Sequence, residues 1–187
     1  MHYEYTAYVD NCHISLQYYT FEINNTIPSR VKSIAHITPN DKKYNIYGPV
    51  ITDYYPNGII LRITYHQHNP RHNEQGSTVT EYYPDGTISR ITYRQHNKRH
   101  NIYGPAITTY YPNGAIAYIA YYINDRRHNE NGPAVTYYNL KGTISSTKYY
   151  QYGKLHNENG PAVTRYHLNG TISSTEYWIN NEIVGNL

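Results

Sequence analysis

Histidine is the residue type that most invites a metal-binding interpretation, because the chain contains eleven of them. Four recur at intervals of 28 residues: His72, His100, His128 and His156. If each interval is one two-stranded hairpin of a sheet, neighbours in this column lie roughly 9.6 Å apart. Two ligands of one zinc ion each lie about 2.1 Å from it, so the column cannot share a metal. His66, His68 and His72 could hold a stray ion, but packing in turns is the favoured interpretation, and we predict no metal site.

The other chemistry-bearing residues form no catalytic pattern. Glu74, Glu130 and Glu158 occupy one position of the 28-residue interval as isolated charges, so paired carboxylates for acid–base catalysis are missing. The sequence shows no Ser-His-Asp or Cys-His arrangement and no phosphate-binding glycine loop. We therefore predict that the protein is not an enzyme and needs no cofactor.

Basic residues form another column. Arg71, Arg99 and Arg127 recur every 28 residues, and Lys98 and Arg126 adjoin them. Solvated charge is the favoured interpretation, and an anionic partner surface is the alternative: a phosphoinositide headgroup or, less favoured, nucleic acid. The net charge of +3 is too small to indicate nucleic-acid binding. Anionic lipid contributes about 1 kcal/mol per basic residue, so this column alone is a weak membrane site.

The composition predicts thin layers instead of a deep core. Only 39% of the residues are apolar, and 26 residues are Tyr, against one Phe, one Trp and one Met. Tyrosine prefers half-buried positions where its hydroxyl stays hydrated. The single Cys12 excludes an internal disulfide. Neither a secretory signal nor a membrane-spanning run is visible, so we expect a soluble protein in the cytoplasm of the cell that makes it.

The columns belong to an internal repeat. The nonapeptide HNENGPAVT occurs at 128–136 and again, unchanged, at 156–164. Two sets of turn glycines step by 28 residues: Gly48, Gly76, Gly104, Gly132 and Gly160, and Gly58, Gly86, Gly114, Gly142 and Gly170. Five units therefore cover about 44–183 without an insertion, which identifies a repeat architecture.

Each unit contains the signals of two strands and two turns. In the third unit, 105–111 and 115–123 predict strands, and YPNG between them predicts a type I turn closed by a left-handed Gly. The fourth and fifth units replace the Pro of this turn with Leu140 and Leu168 but keep the Gly. Ile63 and Tyr65 share a parity that Ile60 does not, which predicts a twist or a bulge just after the glycine.

These signals predict an all-β fold, an elongated single antiparallel sheet or solenoid of consecutive β-hairpins. A lone hairpin is marginal in water, so each copy must bury its neighbour. We predict an N-terminal cap with a degenerate repeat at 1–43, five repeats at 44–183 and a C-terminal tail at 184–187. An exposed edge strand is a template for pairing, which makes self-association through the sheet ends an option.

Tyrosines form two more columns: Tyr54, Tyr82, Tyr110, Tyr138 and Tyr166, and Tyr65, Tyr93, Tyr121, Tyr149 and Tyr177. If both lie on one face, their rings alternate from strand to strand and suit offset stacking, at roughly 0.5–1.5 kcal/mol per pair. A structural ladder is the favoured interpretation, and a platform for sugar rings is the alternative. The position of Asp53 varies freely between copies, so that side of the strand is predicted to be wetter near its middle: Glu81, Thr109, Tyr137 and Arg165.

At 149–166, YYQYGKLHNENGPAVTRY, the chain resembles a MORN repeat array. The family's pattern is Tyr, a spacer, Asn-Gly or similar, a basic residue, His or Gly, and a closing Gly. It is matched here by Tyr149, Gly153, Lys154, His156 and Gly160, and less fully by Tyr65, Asn69, Arg71, His72 and Gly76. The resemblance covers about 44–183. The unit is longer than the family's usual copy, and Asn stands where Gly often follows His: Asn73, Asn101, Asn129 and Asn157.

This longer copy is similar to MORN-type proteins of giant DNA viruses of amoebae, whose AT-rich genomes suit a composition heavy in Asn, Ile and Tyr. A bacterial antitoxin-like family with hairpin repeats is another relative. The resemblance implies scaffolding, dimerisation and sometimes membrane-proximal or phosphoinositide-linked roles, and no catalysis.

Three functions follow as hypotheses. The first is a viral scaffold that binds other proteins or itself, in the host cytoplasm, the virus factory or the virion. The second is a peripheral module that binds anionic phospholipid through Arg71, Arg99 and Arg127. The third is an antitoxin-like inhibitor of a partner protein.

Overall fold

The computed structural model describes the chain at residues 4–9, 12–20, 29–37, 51–65 and 79–186. Two compact units divide the chain, Met1–Ile88 and Ser89–Leu187. The division of the sequence into 1–43, 44–183 and 184–187 depends on periodicity and not on compactness, and it stays a prediction. The repeat therefore has to be followed within each unit separately.

The first unit pairs its strands in chain order. Its described strands are β1 (Glu4–Val9), β2 (Cys12–Thr20), β3 (Ser29–Ile37), β4 (Ile51–Tyr54), β5 (Ile60–Thr64) and β6 (Val79–Tyr82). Every neighbouring pair is antiparallel. Because β3 pairs with β4, the segment predicted as a degenerate copy is hydrogen-bonded to the first regular repeat.

The second unit contains two kinds of strand, the longer strands of its main sheet and pairs of short strands that form separate hairpins. Its longer strands are β7 (Ile88–Thr92), β10 (Ile107–Tyr110), β11 (Ile116–Ala120), β14 (Val135–Tyr138), β15 (Ile144–Lys148), β18 (Val163–Tyr166), β19 (Ile172–Ile179) and β20 (Glu182–Asn186), paired in that order. Its short strands pair as β8 (Arg94–Gln95) with β9 (Lys98–Arg99), β12 (Tyr122–Ile123) with β13 (Arg126–Arg127), and β16 (Tyr150–Gln151) with β17 (Lys154–Leu155). An antiparallel sheet of consecutive hairpins was predicted, and this fold class is confirmed.

The long hairpins turn as predicted. In the third repeat the Gly114 N–H donates to the Tyr111 carbonyl at 2.8 Å, which closes a type I turn, and Gly114 has a φ of 80°. The Tyr111 N–H in turn donates to the Ala115 carbonyl at 2.8 Å. A left-handed residue is required at this point, and glycine adopts that conformation without a Cβ penalty. The other column of predicted turn glycines is different, because Gly104, Gly132 and Gly160 are not left-handed.

The predicted bulge is confirmed. In the third repeat Tyr110 pairs with Ile116 and Thr109 pairs with Tyr118, so Ala117 has no partner across the hairpin. The same shift leaves out Leu61 in the first repeat. One extra residue reverses the side of the sheet that each later side chain faces, and the residues after the bulge then face the sides on which they are buried.

The short hairpins correct the prediction of one continuous strand over 115–123. The chain leaves the sheet after Ala120 and forms β12 and β13 around a tight turn. Asn124 and Asp125 have φ values of 50° and 67°, as a type I′ turn requires. Asn and Asp tolerate this conformation, so two residues close the hairpin without glycine.

Both sides of the second unit's sheet contain buried residues. One side carries the cluster of Ala106, Ile107, Ala120, Tyr122 and Val135, with Tyr118, Tyr137 and Tyr150 packed against it. This is the side of the variable position, where Thr109 and Tyr137 are half-buried and Arg165 is exposed, while Thr136 and Thr164 on the other side are buried, so the expectation of a wetter middle is confirmed at these residues. Short β-branched and Ala side chains lie between the larger tyrosines, which cover them. The other side buries a line of threonines: Thr136, Thr147, Thr164 and Thr175.

Candidate functional site

The histidine column joins neighbouring repeats. Nδ1 of His100, His128 and His156 accepts the backbone N–H of Asn124, Tyr152 and Asn180, respectively, at 3.3, 3.4 and 3.3 Å. The buried His128 ring also stacks on Tyr152, with 4.1 Å between ring centroids. These three histidines therefore pack in the turns between repeats, whereas the turn-packing interpretation concerns three others. His66, His68 and His72 lie outside the described residues.

The residue after each histidine fixes its own loop. The Asn129 side chain donates to the Pro133 carbonyl at 3.0 Å and accepts the Asn131 N–H at 3.2 Å. Asn101 and Asn157 make the equivalent bonds to Pro105 and Pro161. The motif H-N-x-x-G-P thus combines one contact between repeats with one loop closure. These contacts account for the recurrence of His, Asn, Gly and Pro in the described copies.

Glutamates beside the histidines remain isolated from other carboxylates. Glu130 and Glu158 each lie 3.5 Å from Nε2 of the preceding histidine, His128 or His156. Both carboxylates are largely exposed. In the part of the chain that the structure describes, no group of three or more His, Cys, Asp or Glu side chains is placed to hold a metal ion.

The basic column is engaged within the chain where it is described. Arg99 Nε donates to Asp125 Oδ1 at 2.6 Å, and this hydrogen bond lowers the pKa of the Asp125 carboxyl. Arg127 donates to the hydroxyls of Tyr122 and Tyr150, both at 3.3 Å. Burial is the largest single influence and disfavours the charge of Arg127, but the bond to Tyr122 and the electrostatic influence of the surrounding tyrosines together raise its pKa. The third predicted member, Arg71, lies outside the described residues.

These residues form what we call the Arg–Tyr stack: Arg99, Tyr122, Arg127 and Tyr150. The Arg99 guanidinium carbon lies 4.3 Å from the centroid of Tyr122, and that of Arg127 lies 5.2 Å from the centroid of Tyr150. Each contact is a cation–π interaction. Sequence reasoning missed the tyrosines because His66, Arg94 and Trp178 occupy their position in other copies.

Exposed positive charge lies one step away on the same short hairpins. Lys98, Arg126 and Lys154 are exposed and occupy equivalent positions in β9, β13 and β17. Successive hairpins are joined through their backbones, since the Asp125 N–H donates to the Arg99 carbonyl at 2.9 Å. We call these three cations the basic edge.

Tyr121 and Tyr138 represent the two tyrosine columns on one side of the sheet. Ile119 pairs with Thr136, which puts Tyr121 and Tyr138 on that same side. The Tyr121 N–H donates to the Ala134 carbonyl, so Tyr121 and Tyr138 lie about four residues apart, roughly 13 Å along the strands. Burial, and then the electrostatic influence of Tyr121, raises the pKa of Tyr138. The ladder over the two columns stays a prediction.

A different pair of tyrosines is in ring contact. Tyr118 and Tyr137 are direct cross-strand neighbours with centroids 5.0 Å apart and planes tilted by 50°. Burial, followed by the influence of Tyr122, raises the pKa of Tyr118 to about 12. Tyr137 occupies the variable position and belongs to neither predicted ladder column, so spacing alone could not identify this pair.

The variable position becomes a row across the second unit. Successive pairings align Arg90, Thr109, Tyr118, Tyr137, Ser146, Arg165 and Ser174, which we call the variable row. Arg165 is exposed and donates to Glu176 at 2.5 Å. Lys148 lies 5.8 Å from the centroid of Tyr137. The row offers aromatic rings and guanidinium groups in an order that does not repeat.

Comparison with known protein families finds a match in the second unit. Residues 107–124 match the family model described as MORN repeat variant, a stretch that includes β10, β11 and β12. No curated protein and no solved structure is significantly similar to the chain. No helix in the described part of the chain has the length and apolarity that crossing a membrane requires. MORN repeats are generally non-enzymatic modules for protein or membrane interaction. The match supports a MORN-like repeat in this chain.

Proposed function

We propose that the chain is a non-enzymatic repeat scaffold that binds a protein partner through the variable row. The observation that carries this proposal is that recurring side chains and variable side chains have different positions and contacts. Residues that recur from copy to copy, such as His128 and Asn129, make contacts between or within repeats. The positions that differ from copy to copy line up across one side of the sheet.

The chemistry of the row suits a protein partner. Tyrosine and arginine are enriched at positions that dominate binding energy in protein interfaces. Tyr118 and Tyr137 are half-buried and already in contact, so binding costs little side-chain entropy at these rings. Arg165 is oriented by Glu176 and lies in the same row as Tyr137, with Ser146 between them.

Assembly of a virus in an infected cell is the finer form of this proposal. The viral role is supported by two features: the 28-residue length of the repeat that contains H-N-x-x-G-P, and a composition rich in Asn, Ile and Tyr. Detection of the chain by mass spectrometry in purified virions or virus factories is the expected result. Its detection only in uninfected cells contradicts the viral role and leaves the scaffold proposal standing.

Capture from the native source tests the scaffold. A tagged chain is compared with the double variant Tyr137→Ser, Arg165→Ser, and bound proteins are identified by mass spectrometry. The control is Ile102→Ser, since Ile102 is an exposed loop residue outside the row. We expect at least one protein to be captured by the wild type and the control and lost from the double variant. Capture of nothing specific, or equal capture by all three chains, rejects the row as the binding surface.

Anionic phospholipid is a second candidate ligand, favoured by the basic edge. Three exposed cations on consecutive hairpins would contribute about 1 kcal/mol each near an anionic bilayer. We expect the chain to float with phosphoinositide vesicles, and the triple Ala variant of Lys98, Arg126 and Lys154 to remain in the dense fraction. Equal flotation of the two chains rejects this candidate. The Ala variants of Arg99 and Arg127 are a separate test, because those side chains are engaged within the chain.

A further inference from the structure

The hairpin tips of the fourth and fifth repeats depart from those before them. In the third repeat Pro112 fills the turn, and the hydroxyl of Tyr111 donates to the Tyr138 carbonyl of the next hairpin at 2.8 Å. The fourth repeat has Asn139 and Leu140 at these two positions, and the fifth has His167 and Leu168. Two consecutive repeats therefore lack both the turn proline and the tyrosine whose hydroxyl bonds to the next hairpin.

The replaced tips expose apolar side chains at one end of the sheet. Leu140 and Leu168 are 61% and 79% exposed, and Ile144 and Ile172, just after the turns, are 39% and 61% exposed. We call these four residues the tip patch. Strand β15 pairs with β18, so the two hairpins are neighbours and their tips are separated by roughly 9.6 Å. Four such side chains expose on the order of 400 Å², the size at which patches on monomers are often functional.

We propose that the tip patch binds the tip patch of a second copy of this chain and forms a weak symmetric dimer. The inference rests on the proposed scaffold function, since it names one partner and the surface that takes it. It differs from association through sheet edges, because the tips lie at the ends of the strands.

Charge favours a second copy as the occupant. Across 138–144 and 166–172 the one charged side chain is Lys141, with His neutral. A two-fold axis midway between the tips sets Leu140 against Leu168 of the second copy. It also sets Lys141 against the neutral Asn169 of that copy, so like charges do not meet. Symmetric dimers are made by such self-complementary patches, in which one position meets a different position of the other copy.

The buried area sets the strength of this dimer. Two patches of this size together bury on the order of 800 Å², about half of a standard protein interface. The dimer is therefore expected to dissociate on dilution. A bilayer is a poorer occupant, since a single cation gives little attraction to anionic lipid.

Sedimentation velocity over a wide concentration range tests the proposal. The variant is Leu140→Pro with Leu168→Pro, which restores the turn residue of the first three repeats. Leu140→Ser with Leu168→Ser is a second variant that leaves the backbone donors in place. Ile102→Ser is the control, since Ile102 is 66% exposed in a loop. We expect the wild type and the control to dimerise with rising concentration, and both double variants to shift the midpoint at least tenfold.

Other outcomes overturn the proposal. A wild type that stays monomeric throughout, or double variants that dimerise like the wild type, rejects the tip patch as the interface. If the wild type stays monomeric and floats with neutral phosphatidylcholine vesicles, and the double variants of Leu140 and Leu168 do not float, the occupant is a bilayer instead. The scaffold proposal fails separately, by loss of the capture difference between the variable-row variant and its control.

Discussion

Gly114 shows how much of this fold depends on one backbone conformation. Its φ of 80° places it in the left-handed region, and an added Cβ would meet nothing within 4 Å. The strain of a substitution therefore comes from the backbone alone, at about 1–2 kcal/mol for a residue with a Cβ. We expect Gly114→Ala to lower the free energy of unfolding by this amount, measured by urea denaturation.

Gly132 is the matched control for this prediction. It is not left-handed, and an added Cβ would make an ordinary contact with Asn129 at 3.7 Å. Gly132→Ala should therefore leave the free energy of unfolding within about 0.5 kcal/mol of the wild type. Equal losses for the two variants would show that the turn conformation is not the cause.

Asp125 gives the fold a small dependence on acid pH. Its pKa is lowered in the folded state by Arg99, so the pair contributes stability above the unfolded pKa, which is near 4. That stability is lost as pH falls through the lower, folded pKa. Both side chains are partly exposed, so the contribution at neutral pH is about 0.2–1 kcal/mol.

We expect Asp125→Asn to be less stable than the wild type at neutral pH and equally stable in strong acid. Urea denaturation at a series of pH values measures the difference between the two chains. A difference that is the same at neutral and acid pH contradicts the role of the carboxylate charge. The variant keeps an oxygen that can accept from Arg99, which isolates the charge from the hydrogen bond.

Among the elements, the short hairpins are the joints between repeats. Removing the imidazole of His128 leaves the Tyr152 N–H without its acceptor and removes the ring stacked on Tyr152. We expect His128→Ala to lower the free energy of unfolding by about 1–3 kcal/mol and to speed amide exchange at Tyr152. Exchange within β14 should change less, because its ladder bonds do not involve the histidine.

Hydrogen exchange resolved by residue measures this effect. His167→Ala is the control, since His167 is exposed and only its backbone is bonded in the turn. If β14 and Tyr152 lose protection to the same extent, the hairpin is not a separate joint and the prediction fails.

Among the elements, features that recur in every copy could be predicted from the sequence, and features that differ between copies could not. Gly114 and its equivalents recur in every copy, so the turn and the bulge could be placed from spacing alone. Tyr122 could not be recognised as a platform for Arg99, because other copies carry His or Arg at its position. The break after Ala120 was also hidden, since Tyr121 and Tyr122 are as compatible with a continuous strand as with a new hairpin.

On the scale of the whole molecule, the contacts between copies are interchangeable. The Arg99 carbonyl accepts the Asp125 N–H at 2.9 Å, and the Arg127 carbonyl accepts the Gly153 N–H at 2.8 Å. Deleting residues 107–134 removes one 28-residue unit and joins Ala106 to Val135. The Gly153 N–H would then meet the Arg99 carbonyl in the same geometry, and His100 would replace His128 beneath Tyr152.

We therefore expect the chain without 107–134 to fold, with its β-sheet circular dichroism retained. Stability of repeat proteins is approximately a sum over copies and their interfaces, so one copy fewer lowers it. At about 0.05–0.15 kcal/mol per residue, the free energy of unfolding should fall by about 1–4 kcal/mol. The control deletes only 107–120, which joins Ala106 to Tyr121 and leaves the short hairpin β12–β13 where a long strand is needed. If both deletions fold equally well, or both unfold, the copies are not the interchangeable unit of this fold.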